Sequence, residues 1–269
     1  MPKFLFWNLN RSERRDLVCR LARLENVDVI ILAESALHTA RFLEEINDAP
    51  QHFHYVPGEC GHITLFARFH PSLFPAVLES HRISIRSLRL PARHKVTVVA
   101  AHLPSKMEFG EEDQVFESVH LARLIEQAEA HEGHQRTIVI GDLNMNPFES
   151  GMVAARGGLH AVMSRHVAAR AARTVQQESY QFFYNPMWSH FGDRANAAGT
   201  FYYDSSEPLC YFWNIFDQVL LRPELLQGFK HEQLRIVTEV DGVSLVKENG
   251  CPDKTIASDH LPVVLEVDF

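Results

Sequence analysis

Thr137-Ile138-Val139-Ile140-Gly141-Asp142-Leu143-Asn144 is the stretch that decides the fold of this 269-residue chain. The residues before Gly141 are apolar and mostly β-branched, which predicts a strand buried on both faces. Because residues two apart in a pleated strand point to the same side, Asp142 and Asn144 are expected to face one point. Taken alone, Gly-Asp-x-Asn is more simply a turn, so its meaning depends on the rest of the chain.

Other apolar strands also stop at side chains that can bind a metal ion. Phe4 to Trp7 stops at Asn8, and Val27 to Ala33 stops at Glu34. Since strand ends are where side chains converge on a ligand in layered α/β folds, Asn8, Glu34 and Asp142 are expected to lie together. Carboxylate and amide oxygens without a thiolate are typical of a Mg²⁺ (or Mn²⁺) site and not of a Zn²⁺ site.

A histidine and a carboxylate near the C-terminus complete the candidate site. Ser258-Asp259-His260 precedes an apolar strand, and at the start of a strand Asp259 can face a metal while His260 faces a substrate phosphate. Asp217 lies in the apolar run from Trp213 to Leu221, where a buried carboxylate is costly without a partner. We expect that partner to be the His260 ring, whose tautomer and charge a carboxylate would fix.

The organisation of the chain indicates one globular domain, residues 1–269. Hydrophobic residues make up 46% and charged residues 22% of the sequence, and neither a repeat nor a linker is evident. Helical spacing from Ser12, the expected N-cap, to Leu24, from Ala36 to Ile46 and from Glu112 to Ala130 alternates with strand-like runs. Strands interleaved with helices predict sheets covered by helices.

Charge and cysteine content limit the functional classes. The net charge is -8 and the pI is near 6.0, which disfavours a protein that coats long stretches of nucleic acid. We see no apolar signal-peptide core and no membrane span. The cysteines are far apart, which is typical of reduced thiols. These features predict a cytoplasmic protein, with no membrane partner and no obligate protein partner inferred.

Taken in order along the chain, the motifs resemble those of the endonuclease/exonuclease/phosphatase superfamily. That superfamily includes deoxyribonuclease I, exonuclease III, sphingomyelinases and inositol polyphosphate phosphatases. The resemblance runs from residue 7 to the C-terminus. It implies an α+β fold, a four-layer α/β sandwich in which two packed mixed β-sheets are flanked by helices. The motifs that carry it are Trp7-Asn8, Glu34, His102-Leu103, Gly141-Asp142-Leu143-Asn144, Asp217 and Ser258-Asp259-His260.

The resemblance also implies roles around a metal ion. Glu34 matches the principal metal ligand, and Asn8 and Asp259 match residues near the same ion. Asp142 matches the residue that positions or activates the attacking water. Asn144 matches its companion on the phosphate or the metal.

On the phosphate side, His260 resembles the histidine that stabilises the transition state, with Asp217 orienting it. Whether His260 or Asp142 takes the proton of the water is left open. His102 resembles a histidine on the neighbouring strand that contacts the phosphate, and Lys106 could add a cation nearby. Glu79 is a candidate carboxylate partner for His102, although no motif supports the pairing.

These expectations predict a Mg²⁺-dependent phosphodiesterase, most simply a nuclease whose partner is DNA or RNA. A small-molecule or lipid-headgroup phosphatase of the same superfamily would share every catalytic residue. A catalytically silent binding module is disfavoured because the motifs are intact. Apurinic endonucleases tend to carry tyrosine at the position of His102, which points away from abasic-site repair. Secreted deoxyribonucleases have signal peptides and disulfides, and neither is evident.

Several surface patterns have two interpretations each. The strip from His81 to Lys95, with Arg82, Arg86, Arg89 and Arg93, is more simply a solvated edge strand than a track for a phosphate backbone. Three arginines at helical spacing predict an exposed helix face. Two aromatic segments either stack bases or pack in the core. The three arginines are Arg165, Arg170 and Arg173, and the segments are Phe182 to Trp188 and Phe201 to Tyr203.

Overall fold

The computed structural model describes residues 1–48, 52–106, 111–193 and 197–269. Its helices are α1 (Arg15–Leu24), α2 (Thr39–Ile46), α3 (Glu111–Glu132), α4 (Ser150–Val153) and α5 (Arg165–Ala168). Across the described residues, no helix has both the length and the apolar character needed to cross a membrane. The strands are β1 (Lys3–Asn8), β2 (Val29–Ala33), β3 (His54–Val56), β4 (Ile63–Ala67), β5 (Ala76–Glu79), β6 (Ile83–Leu88), β7 (Val96–His102), β8 (Thr137–Asp142), β9 (Ala161–Val162), β10 (Ala172–Val175), β11 (Glu178–Gln181), β12 (Phe183–Tyr184), β13 (Phe201–Tyr202), β14 (Trp213–Asn214), β15 (Asp217–Leu221), β16 (Phe229–Ile236), β17 (Glu239–Val240), β18 (Val243–Ser244) and β19 (Val263–Val267).

Most strands belong to two large mixed sheets. The first has the order β16-β19-β1-β2-β4-β3, and the second has the order β5-β6-β7-β8-β15-β12-β9. Strands β1 and β2 run parallel in the first sheet, and β7 runs parallel to β8 in the second. Both parallel pairs place the ends of their strands at one edge, where side chains can converge on a ligand.

The two sheets pack face to face, because side chains along each strand point alternately to the two faces of its sheet. In β8, Ile138 and Ile140 share a core cluster with Phe6 of the first sheet, whereas Val139 packs with Ile125 of α3 on the opposite face. The helices α1 and α2 join the cluster of the first sheet, for example through Leu21. The layers are therefore helix, sheet, sheet and helix, which confirms the four-layer α+β sandwich.

Gly141 allows β7 and β8 to approach closely. A Cβ atom at this position would lie 2.0 Å from the carbonyl oxygen of Ala101, its partner in β7. The same register sets His102 beside Asp142, and β15 sets Asp217 on the other side of Asp142. The glycine of the Gly-Asp-x-Asn motif thus has a packing role, because a side chain there would force apart the strands that align the site.

The charged strip from His81 to Lys95 differs from the prediction. Strand β6 lies between β5 and β7, and all of its residues are buried. Arg86 is 3% exposed, and its Nη2 lies 2.8 Å from Oε1 of Glu79. The solvated edge strand was therefore wrong, and so was Glu79 as a partner for His102, because Arg86 takes that carboxylate.

Two local helix predictions were also wrong. Helix α1 begins at Arg15 after Arg14, and its N-terminus has no side-chain cap, so Ser12 does not cap it. Helix α5 ends at Ala168, and Ala171 has a positive φ of 67° that turns the chain into β10. The predicted arginine face therefore does not exist, since its last member, Arg173, lies in a strand.

The four cysteines are free thiols. Cys19 and Cys60 are buried, whereas Cys210 and Cys251 are partly exposed. Burial raises the pKa of the Cys19 thiol to about 12. A buried neutral thiol of this kind behaves as a small apolar side chain.

A buried ion pair ties α3 to the second sheet. Arg222 donates from Nε to Oε1 of Glu129 at 2.8 Å and from Nη2 to Oε2 at 3.2 Å. Thr137 Oγ1 donates to the same carboxylate at 2.6 Å. Both charged residues are 5% exposed, so neither charge can be solvated if its partner is lost.

We therefore expect Glu129→Ala to lower the free energy of unfolding by about 3–5 kcal/mol, because it leaves the Arg222 guanidinium buried and unpaired. Denaturation in urea measures the change. The matched control is Glu224→Ala, which breaks an ion pair between partly exposed side chains of Arg136 and Glu224 and should cost less than about 1 kcal/mol. Equal losses in the two variants would contradict this assignment.

Candidate active site

The predicted site residues converge on one cleft of about 550 Å³. It opens where β1, β2, β7 and β8 end and where the chain approaches β19. Asp217 lies beneath the cleft with 0% exposure. All the other predicted site residues line it, and they are Asn8, Glu34, His102, Lys106, Asp142, Asn144, Asp259 and His260.

Strained backbone marks the same cleft. Asn10, Glu34 and Asn144 have positive φ values of 47°, 44° and 50°. Asparagine tolerates this region, but glutamate adopts it rarely, so Glu34 is held there by its surroundings. Such strain is concentrated at functional sites, where it aims a side chain that regular backbone would point elsewhere.

Asp142 is held by neighbours on both of its oxygens. Asn8 Nδ2 donates to Oδ2 at 2.9 Å, and the backbone N–H of Asn144 donates to Oδ1 at 2.9 Å. Because β8 ends at Asp142, Asn144 reaches the cleft through a turn and not through the strand pleat that the sequence suggested. Its Nδ2 donates to the Leu103 carbonyl at 2.9 Å, which fixes that turn.

The expected contact between Asp217 and His260 is present. Nδ1 of His260 lies 2.8 Å from Oδ2 of Asp217, and Nε2 lies 3.9 Å from Oδ2 of Asp142. Two further bonds fix this loop to β1: Trp7 Nε1 donates to the His260 carbonyl at 2.9 Å, and Ser258 Oγ donates to the Asn8 carbonyl at 2.8 Å. The ring therefore has one nitrogen bound to a carboxylate and the other directed towards Asp142.

The electrostatics of this pair favour a charged imidazole. Burial by itself lowers the pKa of His260, but the carboxylates of Asp217, Asp142 and Asp259 outweigh it and raise the pKa to about 10. The ring accordingly carries a proton on each nitrogen at neutral pH, and its Nε2–H is a charge-assisted donor.

His102 and Lys106 differ in how strongly they are engaged. His102 Nε2 lies 3.4 Å from Oε1 of Glu34 and 3.8 Å from Oδ2 of Asp142, so its partners are the metal-ligand candidates themselves. The Lys106 ammonium pairs with Glu149 and lies 5.6 Å from the centre of the Phe216 ring. Lys106 lines the cleft, but Glu149 already neutralises its charge.

The donor set fits a hard divalent cation. Glu34, Asp142 and Asp259 bring three carboxylates to one cleft, and the Glu34 side chain is 24% exposed and so accessible to an ion. Ligand atoms of Asp142, Asp217 and His260 also lie within 4.8 Å of one another. Because Asp217 and His260 are hydrogen-bonded to each other at 2.8 Å, the oxygen ligands on the Glu34 side suit the ion better.

An aromatic wall lines the cleft beside His260, and we define it as Phe201, Tyr203, Tyr211 and Phe216. The ring centres of Phe201 and His260 lie 4.6 Å apart. Tyr203 and Tyr211 are 46% and 48% exposed. Phe201 and Tyr203 come from the second aromatic segment, which includes β13, whereas Tyr211 lies shortly before β14 and Phe216 lies between β14 and β15.

The first aromatic segment is mainly core. Phe182, Phe183, Tyr184 and Met187 are buried. Trp188 packs against Phe148 at 6.2 Å and does not line the cleft. Residues 194–196, between the two segments, lie outside the described residues. Of the two aromatic segments, only the second therefore contributes to the cleft wall.

The sequence did not predict some residues that line the cleft or lie beneath it. Asn10 donates from Nδ2 to Oδ2 of Asp259 at 2.7 Å, and Asn214 lines the far side of the cleft. Thr200 Oγ1 accepts the backbone N–H of Asp217 at 3.2 Å. The only local signal was the spacing of Asn10, two residues after Asn8, while the others depend on tertiary contacts.

Comparison with known proteins agrees with this geometry. The profile of the Endonuclease/Exonuclease/phosphatase family matches residues 5–260. A search of curated protein sequences gives no significant match.

Solved structures share the fold at low sequence identity. An AP endonuclease from Archaeoglobus fulgidus has a TM-score of 0.57 at 15% identity, over 100% of this chain and 100% of that chain. The endonuclease domain of TRAS1, a telomere-specific non-LTR retrotransposon, has a TM-score of 0.55 at 12% identity, over 100% and 99%. D. rerio TDP2 complexed with single-strand DNA product has a TM-score of 0.52 at 17% identity, over 98% and 97%.

The family profile spans nearly the whole chain, and the cleft gathers the motifs in one place. A charged histidine faces a set of carboxylates across this cleft. That arrangement suits phosphoryl transfer, in which electrostatic stabilisation dominates catalysis. The chain belongs to the endonuclease/exonuclease/phosphatase family and is a metal-dependent phosphoesterase.

Proposed function

We propose that this protein is a Mg²⁺-dependent nuclease of the cytoplasm that hydrolyses phosphodiester bonds of DNA or RNA, with short or single-stranded ends preferred over long duplex. The observation that carries the proposal is the aromatic wall beside the pair formed by Asp217 and His260. A nucleotide offers both groups that such a cleft fits, a phosphate for the histidine and a base for the aromatic rings.

The Glu34 side of the cleft would hold the ion, with Asn8 and Asp259 nearby. When bound, a divalent cation offsets the charge that develops on the non-bridging oxygens and makes the attacking water more acidic. Asp142 accepts hydrogen bonds on both oxygens from the protein and still faces the cleft. It is thereby placed to orient the water, with Asn144 as its companion.

His260 acts on the phosphate. Asp217 holds Nδ1, which leaves the Nε2–H to donate to a non-bridging oxygen as negative charge increases in the transition state. His102 lies at the end of β7, beside Asp142 of β8, and would contact the same phosphate. Lys106 contributes less, because Glu149 pairs with it.

The choice of single-stranded nucleic acid rests on the aromatic wall and on charge. Tyr203 and Tyr211 are about half exposed, as rings that stack on an incoming base need to be. The net charge of -8 disfavours a long duplex footprint. The fold shared with D. rerio TDP2, a protein solved with single-strand DNA product, is consistent with this substrate class.

We expect Tyr203→Ala to raise KM for single-stranded oligonucleotides about tenfold, since one base–aromatic stack is lost. KM for a minimal aryl phosphodiester should stay within about twofold, because that substrate has no base to stack. Steady-state kinetics with both substrates tests the proposal. The control is Tyr55→Ala, which removes an exposed tyrosine of β3 outside the cleft. An equal rise for both substrates would contradict base stacking.

A further inference from the structure

A second, smaller pocket of about 260 Å³ adjoins the catalytic cleft. Glu34, His102 and Ser105 line both cavities, so the two share a wall. The rest of the small pocket includes Arg11, His62 and Arg82, and we call it the basic pocket. It lies on the Glu34 side, whereas the residues of the aromatic wall line only the catalytic cleft.

Arg82 supplies a cation that the described residues leave unpaired. Its side chain is partly buried, and it makes neither an ion pair nor a hydrogen bond within the described ranges, unlike Arg86 four residues later. The Arg82 carbonyl accepts the backbone N–H of His102 at 2.9 Å, which places this arginine directly beside the end of β7. An arginine held in a pocket without a carboxylate partner is available to an anion.

His62 lies in a positive electrostatic field within the basic pocket. Burial first, and then the charges of Arg82, His102, His81 and Arg11, lower the pKa of His62 to about 4. His62 is therefore neutral at physiological pH, and its Nε2 lies 3.0 Å from Nε2 of His81. The positive charge of the pocket accordingly comes from Arg82 and Arg11.

Among the described residues, Glu34 is the carboxylate that faces this pocket, and it does not neutralise the two arginines. Glu34 lies on the shared wall, with Oε2 3.4 Å from Nε of Arg11. The Arg11 side chain is 85% exposed, so this contact leaves most of its donors in solvent. In a chain of net charge -8, a partly enclosed site with two arginines is locally positive and suits an anion.

We propose that the basic pocket binds a second phosphate of the substrate, the one next to the scissile phosphodiester, on the side away from the aromatic wall. This inference rests on the proposed nuclease function, because a nucleic acid strand carries a phosphate at each step. Arg82 is the specificity-determining residue, and Arg11 assists from the pocket rim. A substrate thus spans the site with a base on the aromatic wall and a phosphate in the basic pocket.

The test measures binding, so that it does not depend on turnover. Isothermal titration calorimetry in Mg²⁺ gives Kd for thymidine dinucleotides with a 5′-phosphate, with a 3′-phosphate or with neither, using the His260→Asn variant to prevent cleavage. We expect one terminal phosphate to tighten binding about tenfold, as a charge-assisted contact does. If the 5′-phosphate tightens binding, the strand runs in one direction across the site, and if the 3′-phosphate does so, it runs in the other.

Adding Arg82→Gln to the His260→Asn variant should abolish the preference for a terminal phosphate. The control adds Arg20→Gln instead and should retain that preference, because Arg20 is a surface arginine paired with Asp16. Equal affinity for all three dinucleotides, or a preference that survives Arg82→Gln, would overturn the basic pocket and leave the nuclease proposal intact. Failure of every dinucleotide to bind, together with no oligonucleotide cleavage by the wild-type protein, would overturn both. Retention of oligonucleotide cleavage by the wild-type protein identifies the first case.

Discussion

His260→Asn is expected to lower kcat for phosphodiester hydrolysis about a thousandfold, since it removes the charged donor that faces the developing negative charge. The asparagine amide can still donate to Asp217, as Nδ1 does at 2.8 Å in the native protein. Quenched-flow or steady-state assays at saturating substrate measure the loss. The free energy of unfolding should fall by only about 1 kcal/mol, so the melting temperature should change by only a few degrees.

The choice of asparagine matters because Asp217 is 0% exposed. His260→Ala would leave its carboxylate buried without this partner, and loss of stability would then be confused with loss of catalysis. Asp217→Asn should likewise reduce kcat, by leaving the ring without the carboxylate that fixes its orientation. Activity within about tenfold of wild type in His260→Asn, below the range for positioned proton donors, would contradict the assigned role.

The second large effect concerns Glu34. Glu34→Gln should lower kcat/KM at a fixed Mg²⁺ concentration by about a hundredfold or more, because an amide replaces the carboxylate that we propose as the principal metal ligand. Activity should also vanish on chelation and return with added Mg²⁺ or Mn²⁺. A Mg²⁺ titration of the initial rate should show a higher half-saturating concentration in the variant.

A calorimetric Mg²⁺ titration of the folded variant separates weaker metal binding from misfolding. Glu44→Gln, on the exposed face of α2, is the matched control and should behave as wild type. Full hydrolysis in excess chelator, or an unchanged Mg²⁺ dependence in Glu34→Gln, would exclude the predicted metal site.

The sequence predicted the fold and the geometry beneath the cleft because strong physical constraints act there. Asp217 illustrates this, since a carboxylate in an apolar run needs a partner, and His260 was the suitable one. The strand ends at Asn8, Glu34 and Asp142 were likewise visible as abrupt changes from apolar to polar residues. Such signals are local in sequence, while the fold brings their ends to one cleft.

The predictions that failed depended on pairing between elements. Arg86 was expected on a solvated edge, but Glu79 pairs with it inside the sheet, and a strip of charges does not reveal such a partner. The two aromatic segments have similar composition, yet Tyr184 lies in the core and Tyr203 lines the cleft. The position of Arg82 could not be predicted either, because only the tertiary structure places it beside His102 at the end of β7.

Hydrolysis of nucleic acid in this cleft is tested most directly by comparing two classes of substrate in one assay. The wild-type protein is incubated in the same Mg²⁺ buffer with a single-stranded oligonucleotide and, separately, with inositol and lipid phosphates, and product formation is measured over time. We expect Mg²⁺-dependent cleavage of the oligonucleotide, with little hydrolysis of the inositol and lipid phosphates. Rapid hydrolysis of an inositol or lipid phosphate, with the oligonucleotide left intact, would contradict it.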